Sequence, residues 1–302
     1  MLHDHTHNSH NRYNESRTGV TRLRMVFFLN LLFALVEIAG SFLTNSVAIL
    51  SDALHDLGDS LSLGLAWYFQ KLSSRQRDKL FSFGYMRFSV LGALINSMVL
   101  FIGSVFIISK AIPRIFNPET VHVQGMFYFA LIGITINGIA AWRLKKGHSV
   151  NEKIISIHLL EDVLGWTAVL VASIVMMFYD VPLLDPLLSL IITIYILWNV
   201  LKNLKSTLRI FLQGTPEETT VADIEKQLLA IDDVTGFHDL HLWSMDGLYH
   251  VLSVHVTVAR DMTLQETQKL KIAIRNCLEE HGVRHTTVEI EQENEICELT
   301  DC

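Results

Sequence analysis

Six apolar stretches, each about the length a helix needs to cross a lipid bilayer, constrain this chain more than anything else in it. They run over 23–43, 46–69, 88–109, 122–143, 154–178 and 183–203. A hydrocarbon core about 30 Å thick takes about 20 helical residues to span. In lipid the backbone must satisfy its own hydrogen bonds, so helices are the economical solution. Proline punctuates rather than interrupts the pattern: Pro113 and Pro118 are expected between the third and fourth spans, and Pro182 and Pro186 around the start of the sixth.

Basic residues set the expected orientation. Arg12, Arg17, Arg22 and Arg24 precede the first span, and Lys71, Arg75, Arg77 and Lys79 lie between the second and third. Arg143, Lys145, Lys146 and Lys153 surround the next loop on that side, and Lys202, Lys205 and Arg209 follow the sixth span. The opposite side holds Lys110 and Arg114. The excess of positive charge inside then puts both termini in the cytoplasm. The polar, histidine-rich start precedes any apolar run, so the first span is expected to stay as an anchor rather than be cleaved.

Beyond the sixth span the character changes. Half of the 302 residues are apolar, too few for a chain wholly in lipid. Thr215-Pro216-Glu217-Glu218 reads as a helix start. A short helix, strands near 235–244 and 248–258, a helix over 264–280 and a last strand over 284–291 follow. The expected fold class is therefore an all-α membrane domain of six helices plus a small cytoplasmic α+β domain, αββαβ in order and ferredoxin-like. Expected boundaries are a histidine-rich arm over 1–22, a transport domain over 23–212, a cytoplasmic dimerisation or regulatory domain over 213–292 and an acidic tail over 293–302. A net charge of −7 argues against nucleic-acid binding. The three cysteines, Cys277, Cys297 and Cys302, do not form a disulfide framework pattern.

Charged groups inside a bilayer are costly, and they point to function. The second span carries His55 and Asp59; the fifth carries His158 and Asp162. In each pair the residues stand four apart, so both side chains leave one helix face a turn apart. Two such helices facing each other offer two imidazoles and two carboxylates, a donor set suited to tetrahedral Zn²⁺. The competing reading is polar glue between helices; two copies of one pair on separate spans favour the metal. Glu37 in the first span and Asp52, one turn before His55, are candidates for a cavity or proton path. For the two pairs to meet at one depth, the fifth helix must begin earlier than its apolar run, near residue 149.

The stretches SVAILSDALHDLGDSLSL, FSFGYMRFSVLGALIN, IHLLEDVLGW, LDPLLSLIITIYIL, FLQGTPEE, FHDLHLW and HTTVEIEQE together resemble the cation diffusion facilitators, a family of zinc and related metal exporters. The resemblance covers nearly the whole chain. It implies a homodimer in the bilayer that exchanges metal for protons, with Zn²⁺ as transported substrate rather than cofactor, and with His55, Asp59, His158 and Asp162 as ligands. A bacterial inner membrane is the expected location. In the cytoplasmic domain, His238 and His255 resemble positions that bind regulatory metal in some relatives, and Glu291 falls where a further ligand is placed. His3, His5 and His7 on the arm could capture metal loosely. Cys297 and Cys302 lack a close Cys-x-x-Cys spacing, which leaves soft-metal binding by the tail the weaker reading.

Three other readings compete. No phosphate-binding loop occurs, which argues against ATP-driven pumping, and no His-Glu-x-x-His occurs, which argues against an intramembrane metalloprotease. A pure sensor would not need ligands deep in lipid.

Overall fold

A computed structural model gives the architecture for residues 27–145, 150–217 and 219–293, with 295 and 297. Ten of its elements follow the first helix, α1, Phe27–Thr44. They are α2 Val47–Ser73, α3 Arg87–Phe116, α4 Val123–Lys145, α5 Val150–Phe178, α6 Leu184–Phe211, α7 Val221–Leu228, β1 Val234–Ser244, β2 His250–Val258, α8 Leu264–Glu280 and β3 Val283–Gln292. His3, His5 and His7 lie outside the described residues.

Among the described residues five helices, α1 and α3 to α6, are long and apolar enough to cross a membrane. The remaining long helix, α2, has 27 residues and is diluted by Asp52, Asp56 and Asp59. Its length still suffices, at about 1.5 Å per residue, to cross a bilayer core. Apolar side chains such as Phe28, Leu32, Ile102, Leu164, Ile191 and Trp198 are left exposed on these helices. In a water-soluble bundle that would be a liability; facing lipid it is the expected surface.

The chain divides into two compact units, Met1–Trp67 with Ile95–Asn203, and Tyr68–Leu94 with Leu204–Cys302. In the first, Ala48 and Ile49 of α2, Met126 and Ala130 of α4, and Trp166, Val169 and Met176 of α5 form one buried cluster. Val47 of α2 packs with Ile107 and Ala111 of α3 in another. Glycines let these helices approach: a Cβ on Gly133 of α4 would meet the Trp166 indole at 2.3 Å, and one on Gly165 of α5 would stand 3.5 Å from an Asp52 oxygen of α2. The carboxylate-bearing face of α2 is thus set against α5.

In the second unit three strands in the order β1-β2-β3 form a sheet, β1 antiparallel to β2 and β2 parallel to β3. Alternation works as the sequence predicts. Leu252, Val254, Val256 and Val258 enter a core with Ile224 and Leu228 of α7 and Leu270, Ile274 and Leu278 of α8. The opposite face of β2 is left for His255 and its neighbours. Gly247, at φ +97°, makes the turn between β1 and β2 where a side chain would be strained.

Two readings of the sequence need correction. Pro113 lies inside α3 rather than between spans. It falls in the helix's last turn, where its missing N–H deprives the Ser109 carbonyl of its donor four residues on. The second helix start is not at Thr215. Instead α6 ends in a Schellman arrangement, with Gln213 at φ 62°, Gly214 N–H donating to the Arg209 carbonyl and Gln213 N–H to that of Ile210. α7 begins five residues later, capped by Thr220, whose hydroxyl accepts from the Asp223 N–H. Ile224 and Leu228, one turn apart on α7, are both fully buried.

Candidate metal centre

The helix α5 begins at Val150, eight residues before His158, so the early start demanded by the depth argument is present. His55 and Asp59 leave one face of α2, and His158 comes from α5 to meet them. The His158 Nε2 lies 2.9 Å from Asp59 Oδ2, and His55 Nε2 lies 3.5 Å from the same oxygen. The two imidazole rings are 5.9 Å apart, edge to face. Each of the three offers a ligand atom within 4.8 Å of the others. In a tetrahedron with metal–ligand bonds of about 2.0–2.1 Å, the edges are roughly 3.3–3.4 Å. The measured separations bracket that edge, so an ion fits among these atoms after small side-chain rotations.

Asp162 stands one turn beyond His158 on α5. It is not in the tight group of three, but it is 4% exposed, its Oδ2 has no hydrogen-bond partner among the described residues, and His158, His55, Asp59 and Glu161 are its titratable neighbours. Two further aspartates of α2, Asp52 and Asp56, have Asp59 and Asp162 as acidic neighbours. Glu37 of α1, 1% exposed, has Asp56 and Asp52 as acidic neighbours, with Asp56 within hydrogen-bonding reach of its carboxyl group. Asp56, turned about 100° from His55 on an ideal helix, is the contact between this acidic group and α1. Asn30 of α1 braces the same turn by donating to the Asp56 carbonyl and to Ser60.

A second group of ligand atoms lies in the sheet domain. His238 on β1 pairs directly with His255 on β2, and their rings are 5.1 Å apart. Glu291 on β3 reaches both: its Oε1 is 2.6 Å from His255 Nδ1 and its Oε2 is 3.2 Å from His238 Nε2. The three residues named from the sequence are therefore brought together. Cys297 joins them from beyond the last strand, with Sγ 3.5 Å from His255 Nδ1, and all four have ligand atoms within 4.8 Å of one another. A mixed S/N edge of a tetrahedral zinc site is roughly 3.5 Å for bonds of about 2.3 and 2.0 Å. A bulge in β1 between His238 and His241, with Asp239 at φ +48°, turns the Asp239 carboxylate toward the group. It lies 2.8 Å from His241 Nε2 and 3.7 Å from the outer nitrogen of His255. A carboxylate behind a ligating histidine orients the ring and raises its basicity. Asp239 was not legible in the sequence, because the bulge has no residue signature, and Cys297 was read there with Cys302 rather than with the sheet histidines.

Two family descriptions match the chain, the cation efflux transmembrane domain over residues 23–212 and the cation efflux protein cytoplasmic domain over residues 216–293. The chain belongs to the cation diffusion facilitator family. Among its curated relatives is a "cadmium, cobalt and zinc/H(+)-K(+) antiporter" of Bacillus subtilis, 34% identical over 86% of this chain and 85% of the relative. Another is a "metal cation efflux system protein CzcD" of Cupriavidus metallidurans, 31% identical over 89% of this chain and 85% of the relative. A third is a "zinc transporter ZitB" of Yersinia pseudotuberculosis, 30% identical over 93% of this chain and 90% of the relative. This cation diffusion facilitator is accordingly a multi-pass membrane protein of metal cation efflux, and not an enzyme.

Proposed function

We propose that this facilitator exports Zn²⁺ from the cytoplasm in exchange for protons, with His55, Asp59, His158 and Asp162 as the ligands of the transported ion. The observation that carries the reading is the convergence of His55, Asp59 and His158 from two membrane helices, with the buried Asp162 one turn away. A divalent cation there neutralises carboxylates that would otherwise repel one another in a low-dielectric surrounding. Protons compete for the same lone pairs, because the metal binds neutral imidazole and ionised carboxylate. Release on the outer side and reprotonation then close the cycle, with the helices rocking to alternate access. Glu37 and Asp52 supply carboxyl groups along the proton path. The names of the relatives cover cadmium and cobalt as well as zinc, and the imidazole–carboxylate donor set suits all three. The charge asymmetry of the loops favours cytoplasmic termini in a bacterial inner membrane, and the cytoplasmic domain favours a homodimer.

The test is Zn²⁺ flux in proteoliposomes with an imposed pH gradient. Flux should follow the gradient and be abolished by Asp59→Ala and by Asp162→Ala. Flux indifferent to the gradient removes the exchange; either variant transporting normally removes the ligand assignment.

A second reading rests on the sheet domain. His238, His255, Glu291 and Cys297 hold a regulatory Zn²⁺, with all four ligands supplied by one chain. Cys297→Ser should weaken equilibrium Zn²⁺ binding at this site by more than tenfold while leaving one transported ion per chain bound in the membrane domain. Unchanged stoichiometry and affinity would exclude the thiolate as a ligand.

A further inference from the structure

The amino end of α2, the helix that carries His55 and Asp59, is held by a residue of another helix. The first turn of any helix has N–H groups without intrahelical acceptors. Here Ser46 caps α2 in the ordinary way, its hydroxyl accepting from the Ile49 N–H at 3.2 Å. The Val47 and Ala48 N–H groups instead donate to the carboxylate of Asp185 on α6, at 2.8 and 3.3 Å. The Ser46 hydroxyl donates to the same carboxylate at 2.5 Å. Asp185 is fully buried, and its charge complements the positive end of the α2 dipole.

The contact continues along α6. Asp185, Ser189 and Thr193 stand at i, i+4 and i+8, each no more than 1% exposed, so they form one buried polar row. At its far end the Thr193 hydroxyl is 2.9 Å from that of Ser51 on α2. Ser51 is one helical turn before His55. α2 and α6 are thus tied at two points, the first turn of α2 and the turn before the metal centre.

A helix transmits an axial displacement with little loss, because its length is set by its own hydrogen bonds. From Ser46 to His55 is nine residues, about 13.5 Å of rise. A shift at the cap therefore reappears at His55 and Asp59, where a ligand set must be held to about 0.5 Å. Without Asp185, the Val47 and Ala48 N–H groups must find other acceptors in a buried place, and sliding or unwinding of α2 is the route open to them. The turn before α2 has an independent tie that keeps the fold: Arg114 of α3 donates to the Asn45 carbonyl at 2.8 Å and to its side chain at 2.7 Å.

We propose that Asp185 is a positioning residue for transport, whose cap from α6 sets the depth of α2 and so the place where His55 and Asp59 meet His158. The inference rests on the ligand reading given above. A residue that merely stabilised the fold would change how much active protein is recovered, not the affinity or preference of each molecule. The experiment compares Asp185→Ala, Asp185→Asn and Thr193→Val with wild type and Asp59→Ala, all as purified full-length protein in proteoliposomes at equal protein content. Zn²⁺ and Cd²⁺ flux are measured against concentration. Asp185→Ala should raise the KM for Zn²⁺ about tenfold and change the Zn²⁺/Cd²⁺ preference. Asp185→Asn, which keeps one carbonyl acceptor, should shift both less, and Thr193→Val should shift both in the same direction. If Asp185→Ala does not accumulate, the other two variants decide. Wild-type KM and preference, whatever the maximal rate, would overturn the proposal while flux lost in Asp59→Ala left the ligand reading standing. Full flux in Asp59→Ala would overturn both.

Discussion

Single side chains in this protein act mostly through where their partners are placed. Glu266 is an instance outside the membrane. It closes a capping box at the start of α8: the Thr263 N–H and hydroxyl both donate to its carboxylate at 2.8 Å, while the Glu266 N–H donates back to the Thr263 hydroxyl. These bonds, led by the backbone one, hold its pKa down to about 2 from an ordinary 4.5. A depressed carboxylate contributes stability that is complete above 4.5 and is lost as pH falls through about 2. Glu266→Gln should therefore speed amide exchange in the first turn of α8 at neutral pH, and the difference from wild type should vanish as pH falls through that window. Exchange followed by mass spectrometry on the full chain checks it; equal protection at neutral pH would show that the cap does not depend on the carboxylate charge.

α4 and α5 come together because Gly133 leaves room for the Trp166 indole, which is fully buried two turns beyond His158 on the same helix. Gly133→Ala puts a methyl group 2.3 Å from a rigid ring. Overpacking of that kind costs about 1–3 kcal/mol, so thermal unfolding of the purified protein in detergent should begin at a lower temperature, with metal flux reduced as α5 is displaced. An unchanged midpoint would mean that the two helices have slack to separate. Much of this level was legible beforehand. The spans, the αββαβ order and the early start of α5 follow from hydropathy, alternation and the need of two residue pairs to meet. The start of α7 was misread because Thr215 and Thr220 both carry acceptable capping sequences. The group around His255 was half legible: the period of two shows which β2 residues share a face, but not that a bulge brings Asp239 alongside or that Cys297 returns.

For the whole molecule, the family places an efflux domain and a cytoplasmic domain in one chain of 34.3 kDa. If two copies work together, as proposed, mass measurement of the detergent-solubilised protein should give twice that protein mass, and disruption of the pairing should lower flux per chain. A monomer with full flux would exclude the dimer as the working unit. One local feature also bears on how such a molecule comes to be in the bilayer. Only Asn45 and Ser46 connect α1 to α2. α2 carries three aspartates, each opposing entry into lipid by about 2.5–3.5 kcal/mol at the centre of an isolated helix. A link of two residues allows no independent partitioning: the two segments must leave the translocation machinery as a hairpin, the acidic strand shielded by its apolar sibling. Lengthening that link should strand α2 outside the membrane during biogenesis, long before any ion could be carried.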